Sequence, residues 1–143
     1  MSKMFVANKA LLVNDEGKIL LIRDAGRGDH KTVNGFWDVP GGRMETHELA
    51  HEGLIREVKE EISFDIRPFL AKPIYVDKWG VKQDIQNQPI IGIFWLVSIT
   101  DISVILSSEH SEHMWADLQT LPTPLLPPLE RALTFMKTHY SIS

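Results

Sequence analysis

The residues of this chain best placed to do chemistry lie in positions 41–64, GGRMETHELAHEGLIREVKEEISF. Gly42 is followed, after five residues, by Glu48. Seven more lead to Arg56 and Glu57, then Val58, Lys59, Glu60 and Glu61. On a helix turning about 100° per residue, Glu57, Glu60 and Glu61 fall within an arc of roughly 100°. Leu54, Ile55, Val58 and Ile62 fill the neighbouring arc and are expected to face a core. Glu48 lies across the axis, and Arg56 falls between Glu48 and Glu60, placed to tie down either one. Carboxylates at i, i+3 and i+4 repel by a few tenths of a kcal/mol per pair, so a counter-charge is expected. Hard divalent cations such as Mg²⁺ take oxygen ligands and commonly bridge to substrate phosphates. A carboxylate helix beside a glycine turn therefore suits cleavage of a phosphoric anhydride. Cations neutralise the pyrophosphate and lower the pKa of a held water, and a carboxylate takes the proton. EVKEE alone reads more readily as a solvated face with i,i+4 ion pairs. The spacing of the whole stretch is far more specific than that run.

Several elements must position these groups. Residues 5–13 are apolar and rich in β-branched and short side chains, which predicts a strand. Residues 14–17 make a turn, and 18–23 a second strand hairpin-paired with the first. Residues 24–35 form a polar loop with Arg27, His30 and Lys31, either simply solvated or a basic rim that meets phosphates. Residues 36–39 form a short strand ended by Pro40, and Gly41-Gly42 permits a sharp turn. The helix is expected over about 47–62, with Thr46 as N-cap and no Glu or Gln three residues on to complete a capping box. Residues 65–76 read as a strand or strand pair bent at Pro68 and Pro73, and 77–89 as a long hairpin loop. The most apolar segment, 90–100, predicts a central strand. Residues 107–115 read as a polar segment, 115–118 as a short edge strand, 121–128 with four prolines as a rigid connector, and 129–140 as a final helix. Leu129, Ala132, Leu133 and Met136 recur there at helical spacing.

The 143 residues suit one domain, 1–143, able to bury a real core. There is no cysteine, which removes disulfides, thiolate metal sites and cysteine nucleophiles. That usage, no apolar run of membrane-spanning length and no leader-like N-terminus lead to the expectation of a cytoplasmic protein without membrane contact. Residues 42–64 hold six acids and three bases, so most of the net charge of −4 is local to the chemical stretch. Such an excess suits divalent cations, and no basic stripe with interleaved aromatics points to a nucleic-acid surface.

Gly42, Glu48, Arg56-Glu57, Val58 and Glu60-Glu61 at these distances resemble the Nudix box of the Nudix hydrolases, strictly over residues 42–64. The resemblance implies an α/β/α sandwich with a mixed sheet and hydrolysis of a nucleoside diphosphate linked to another moiety X. It implies metal ligation by Glu57, Glu60 and Glu61, with the backbone carbonyl of Gly41 joining the shell. Glu48 and Arg56 match the pair that braces loop and helix, and Glu45 a commonly acidic position. The cofactor implied is Mg²⁺, with Mn²⁺ as the substitute. The general base varies in this family. Glu109 and Glu112 stand six and three residues before Trp115, and Glu109 is favoured as base or extra ligand, ahead of Glu112 or a box glutamate such as Glu57 or Glu60. The histidines at 110 and 113 are weak signals for a separate zinc site. Arg23 matches a position that contacts phosphates in some members, and Trp37, Trp79 or Trp95 is a candidate to stack on a base.

Two departures stand out. Ser63 replaces the late glycine, whose left-handed conformation costs an L side chain on the order of 1 kcal/mol. His47 stands where glycine is usual before Glu48, while Gly53 keeps the usual small residue. Intact glutamates argue against a binding module without turnover, and the lack of cysteine against an isopentenyl diphosphate isomerase. The proline and tyrosine that mark ADP-ribose and dinucleoside-polyphosphate cleavers are absent near 79–82. That leaves nucleoside triphosphates, oxidised ones included, as the expected substrate, with nucleotide sugars or other diphosphate-linked compounds second. Recognition is expected from loops 24–35 and 77–89, and the apolar strand leaves room for a homodimer.

Overall fold

Strand β1 (Phe5–Val13) is buried along most of its length, and its alternate residues face two different cores in the computed structural model, which describes residues 4–28, 33–79 and 89–140. Leu11 and Val13 pack with Leu129, Ala132, Leu133 and Met136 of helix α2 (Pro127–His139). Ala10 and Leu12 pack with Leu54, Val58 and Ile62 of helix α1 (Ala50–Ile62). Strand β2 (Ile19–Asp24) repeats the alternation, Ile19 and Leu21 to one core, Leu20 and Ile22 to the other. Successive strand residues point to opposite faces. A sheet buried on both faces, with one helix over each, is the α/β sandwich expected from the sequence.

The sheet is mixed, with the order β3-β2-β1-β6-β5 and with β4 on β1 and β7 on β2. β1 runs parallel to β6 (Ile90–Ser98) in unbroken register, and β6 pairs antiparallel with β5 (Ala71–Trp79), so β6 is central as its apolarity predicts. The hairpin expected between β1 and β2 is paired at Val13 and Ile19. Farther along, β3 (Trp37–Asp38) pairs with β2 and β4 (Gly41–Arg43) with β1. The short link through Pro40 thus carries the chain from one strand to the other and sets Gly41 opposite Lys9.

Several expectations are corrected. Gly41-Gly42 is strand, not a sharp turn: its backbone is held antiparallel by Ala7–Lys9. α1 begins at Ala50 rather than near 47, with Leu49 as N-cap. The Glu52 carboxylate accepts the Leu49 N–H at 2.8 Å, satisfying one end-of-helix donor from a residue the Thr46 assignment overlooked. α2 starts two residues early, with Pro127 and Pro128 in its first turn, where a missing N–H costs nothing. The polar segment before Trp115 is strand β7 (His110–Ala116), laid antiparallel along β2. Ser63 does take the left-handed conformation, φ 58° and ψ 34°, and its N–H caps Lys59 O.

Candidate active site

The acidic stripe is mounted on α1 by apolar side chains: Leu54, Val58 and Ile62 are fully buried, each contributing about 1.5–3 kcal/mol of gross hydrophobic stabilisation. That anchoring turns Glu57 and Glu61 toward β4 and leaves Glu60 exposed. Gly42 lets Glu57 approach, since a Cβ there would stand 2.7 Å from Glu57 Oε2. Gly41 has φ +144°, and its N–H donates to Glu61 Oε1 at 2.7 Å. A Cβ on Gly41 would collide with the Asn8 carbonyl at 2.0 Å, so this backbone approach is open to glycine alone.

Arg56 ties the stripe to the preceding loop. Its Nε and Nη2 donate to Glu48 at 2.5 and 3.0 Å, and its Nη1 donates to Glu57 at 3.0 Å and to both Glu60 oxygens at 3.2 Å. Glu48 lies ahead of the helix rather than on it, where its Oε1 also accepts the Glu45 N–H at 2.8 Å. Hydrogen bonds from Arg56, then from the Glu45 backbone, hold Glu48 down at about 2.

Two residues that the sequence pattern did not single out lie in β1 where it pairs with β4. Lys9 and Asn8 occupy consecutive buried positions in β1. Lys9 Nζ donates to Asp38 Oδ2 of β3 at 2.9 Å. Burial pulls the Lys9 ammonium down, but Asp38, Glu61 and Glu57 outweigh it and leave it raised. Asn8 Oδ1 accepts from Trp95 Nε1 at 3.0 Å, which turns Trp95 to an internal task. A polar pair inside an otherwise apolar strand is the one signal that would have found them, because buried polar groups need partners.

Glu61 is 9% exposed, and burial, opposed by Lys9 and the Gly41 N–H, pushes its carboxyl up to about 8. Burial also raises Glu57, against the lowering pull of Arg56. Both are acids short of positive charge. Among the described residues no three His, Asp or Glu side chains converge into a ready-made cation cage. Glu57 and Glu60 lean on Arg56 Nη1, while Glu61 faces Gly41. The donor set nevertheless fits a hard divalent cation: three carboxylates beside a bared backbone, all oxygen, at a place where charge is owed. Mg²⁺ in phosphate chemistry takes one or two carboxylates and completes its shell with waters and substrate rather than with a protein cage. Only the Nη1 contacts of Arg56 would have to yield, because its grip on Glu48 uses Nε and Nη2.

The remaining sequence candidates fall as follows. Glu109 is exposed on the loop before β7, whose Ser107 N–H bonds Glu61 O at 2.9 Å, so the loop runs against the end of α1 that carries the stripe. Glu112 lies in β7 opposite Arg23 and accepts from its Nη1 at 2.8 Å, which engages both. Arg23 also donates from Nε to Gly35 O and lies over Trp37. Trp37 is corrected: it is 5% exposed and belongs to the core, with its backbone bonded to Pro124 and Leu126, so it has no face free for a base. His110 and His113 sit in β7 opposite Asp24 and Ile22, with a break in register between them, and among the described residues they join no group of three that could hold a metal ion. Arg27 donates to Ser108 O at 2.7 Å, whereas His30, Lys31 and residues 80–88 lie outside the described residues. A groove of about 600 Å³ lies elsewhere, between β5 and α2, around Tyr75, Arg131 and Phe135; its arginine is paired with Asp77, and none of the acidic stripe lines it.

A family model described as the NUDIX domain matches residues 5–135, and the chain belongs to the Nudix family. The human protein named 8-oxo-dGDP phosphatase NUDT18 is 31% identical over 118 residues, which are 81% of this chain and 33% of that protein. The chain therefore spans about a third of that relative's length. The RNA pyrophosphohydrolase of Erythrobacter litoralis is 26% identical over 132 residues, 82% of this chain and 78% of that one. Among solved structures, a MutT protein from Methanosarcina mazei Go1 superposes with a TM-score of 0.79 at 26% identity, covering 98% of both chains.

Proposed function

We propose that this chain is a divalent-metal-dependent hydrolase of a diphosphate linkage in a nucleoside diphosphate-X compound. Its proposed substrates are nucleoside triphosphates, oxidised ones included, cleaved to the monophosphate and pyrophosphate. The observation that carries this is the half-buried carboxylate face of α1, seated on the glycine strand β4 and backed by Lys9. Glu57, Glu60, Glu61 and the Gly41 carbonyl would hold Mg²⁺, or Mn²⁺ in its place. When bound, that cation neutralises the diphosphate and acidifies a water. Glu48 and Arg56 keep the loop before α1 and the stripe in one register. Water adds to phosphorus, the anhydride bond breaks, and the exposed Glu109 carboxylate takes the water's proton.

Support for the substrate class comes from the similarity to NUDT18, whose name specifies an oxidised deoxynucleoside diphosphate, and to an RNA pyrophosphohydrolase; both names imply a phosphoric anhydride. The test is a panel of nucleoside di- and triphosphates, 8-oxo forms, nucleotide sugars and capped RNA with Mg²⁺, followed by phosphate and pyrophosphate release. Turnover of none of them, with tight binding of one, would make the chain a binding module instead.

A further inference from the structure

We propose that Arg27 is a positioning residue for Glu109: it fastens the loop before β7 to the segment that follows β2 and so fixes where the Glu109 carboxylate stands. Its role rests on the diphosphate hydrolysis proposed above, in which Glu109 takes the water's proton. Arg27 Nε donates to the Ser108 carbonyl at 2.7 Å. Two residues earlier, the Ala25 N–H donates to the Glu109 carbonyl at 2.9 Å. Both peptide groups that flank the Glu109 Cα are thus held from one short segment, while the residue itself stays exposed. A peptide group is planar, so holding the two planes beside a Cα sets the direction in which its side chain leaves. On the other side, the Ser107 N–H donates to the Glu61 carbonyl at 2.9 Å and ties the loop to the end of α1. The holding segment is fixed in its turn: Asp24 Oδ1 accepts the Gly26 N–H at 2.7 Å, and Asp24 O accepts the Gly35 N–H at 2.9 Å. The β2–β7 ladder also shifts register between Arg23 and Asp24, the kind of irregularity that re-aims a side chain beside an active site. Among the described residues, the Arg27 bond is the one in this set that holds the loop through a side chain, so it can be removed without touching the backbone. Arg27 thus acts through Glu109.

Two substitutions separate the bond from the charge. Glutamine carries an amide nitrogen at the place of the arginine Nε, a donor without charge, and methionine carries a methyl group there, with no donor. Arg27→Met and Arg27→Gln are compared with wild type, each alone and combined with Glu109→Gln. Two quantities are read: amide hydrogen exchange at Ala25 in metal-free protein, and kcat and KM with a nucleotide that the wild type turns over. In Arg27→Met, exchange at Ala25 should speed about fivefold, the worth of one hydrogen bond, while amides of the β1–β6 ladder keep their rates. Its kcat should fall about tenfold with KM within about twofold, as a small misplacement of a reacting group would do. Arg27→Gln should recover exchange and kcat to within about twofold of wild type. Glu109→Gln should itself lose about 100-fold or more in kcat, and Arg27→Met should cost nothing further beside it, because the two residues act as one unit. Wild-type kcat in Arg27→Met, or a tenfold loss that persists beside Glu109→Gln, would overturn the role of Arg27 and leave Glu109 as base. Equal losses in Arg27→Gln and Arg27→Met, with KM raised in both, would overturn it as well and make Arg27 a phosphate contact. Glu109→Gln with wild-type kcat would instead overturn Glu109 as base, and a wild type that hydrolyses nothing would overturn the hydrolase; either removes any part of Arg27 in the reaction.

Discussion

Adding one methyl group at Gly42 should separate activity from stability in this fold. The alanine Cβ would stand 2.7 Å from Glu57 Oε2, 2.8 Å from its Cδ and 3.0 Å from Oε1, against 3.4 Å for an ordinary contact. The Glu57 carboxylate must therefore retreat by about 0.7 Å. It can do so cheaply, because it is the end of a flexible side chain and Gly42 has no positive φ to strain. A misplacement of about 1 Å at a reacting centre costs on the order of 100-fold, so Gly42→Ala should lose about 10–100-fold in kcat, or about 1.4–2.7 kcal/mol of barrier. Its Tm should stay within about 2 °C of wild type. Gly41→Ala is the contrast. There the added Cβ meets backbone, the Asn8 carbonyl at 2.0 Å, and φ is +144°. That variant should lose about 4 kcal/mol or more, or fail to fold. Steady-state kinetics and calorimetry on the pair decide the matter. Gly42→Ala with wild-type kcat, or with the instability of Gly41→Ala, would refute the placement of Glu57.

Four further outcomes are expected. Glu61 has a folded value of about 8 against 4.5 unfolded, so its contribution to stability is complete below about pH 4.5 and is lost as pH rises through about 8. The Tm of EDTA-treated protein should therefore fall across that window, and Glu61→Gln should flatten the fall; an unchanged slope in the variant contradicts the assignment. Ser63→Gly should raise stability by about 1 kcal/mol in thermal melts by relieving the left-handed serine, with kcat unchanged. Trp37→Ala should cost about 3–5 kcal/mol in chemical denaturation as a core truncation, while Trp37→Phe leaves KM for nucleotide within about twofold. Chelation of divalent cations should abolish turnover, and Mg²⁺ or Mn²⁺ should restore it and raise Tm by mass action, as melts at graded metal concentration would show.

The legible part of this molecule was the part with a period. The apolar alternation of β1 and β2, the stripe on α1 and the helical spacing in α2 each follow from one side chain needing one face. What stayed hidden was decided by neighbours distant in sequence. Gly41-Gly42 has turn composition, and only pairing with Ala7–Lys9 makes it a strand. HSEHMWA looks like a loop because one face stays wet; β2 supplies its hydrogen bonds. The start of α1 moved three residues because Glu52, a residue with no role in the stripe, answers the Leu49 N–H. Trp37, by its sequence a candidate to stack on a base, lies in the core because the proline connector bonds its backbone. In the candidate site, the spacing alone points to Glu48, Arg56 and the glutamates, whereas Lys9 and Asp38 sit 29 positions apart and meet through the β3–β4 crossing.

Glu60 offers the most direct test of the central claim, because its side chain is 57% exposed and its loss should leave the fold untouched. Wild type and Glu60→Gln would be assayed side by side for nucleoside monophosphate and pyrophosphate release with Mg²⁺. If a cation on this stripe drives diphosphate cleavage, wild type turns over and Glu60→Gln loses at least about 100-fold in kcat with its Tm unchanged, about 2.7 kcal/mol of barrier. A Glu60→Gln protein that hydrolyses as fast as wild type would contradict it.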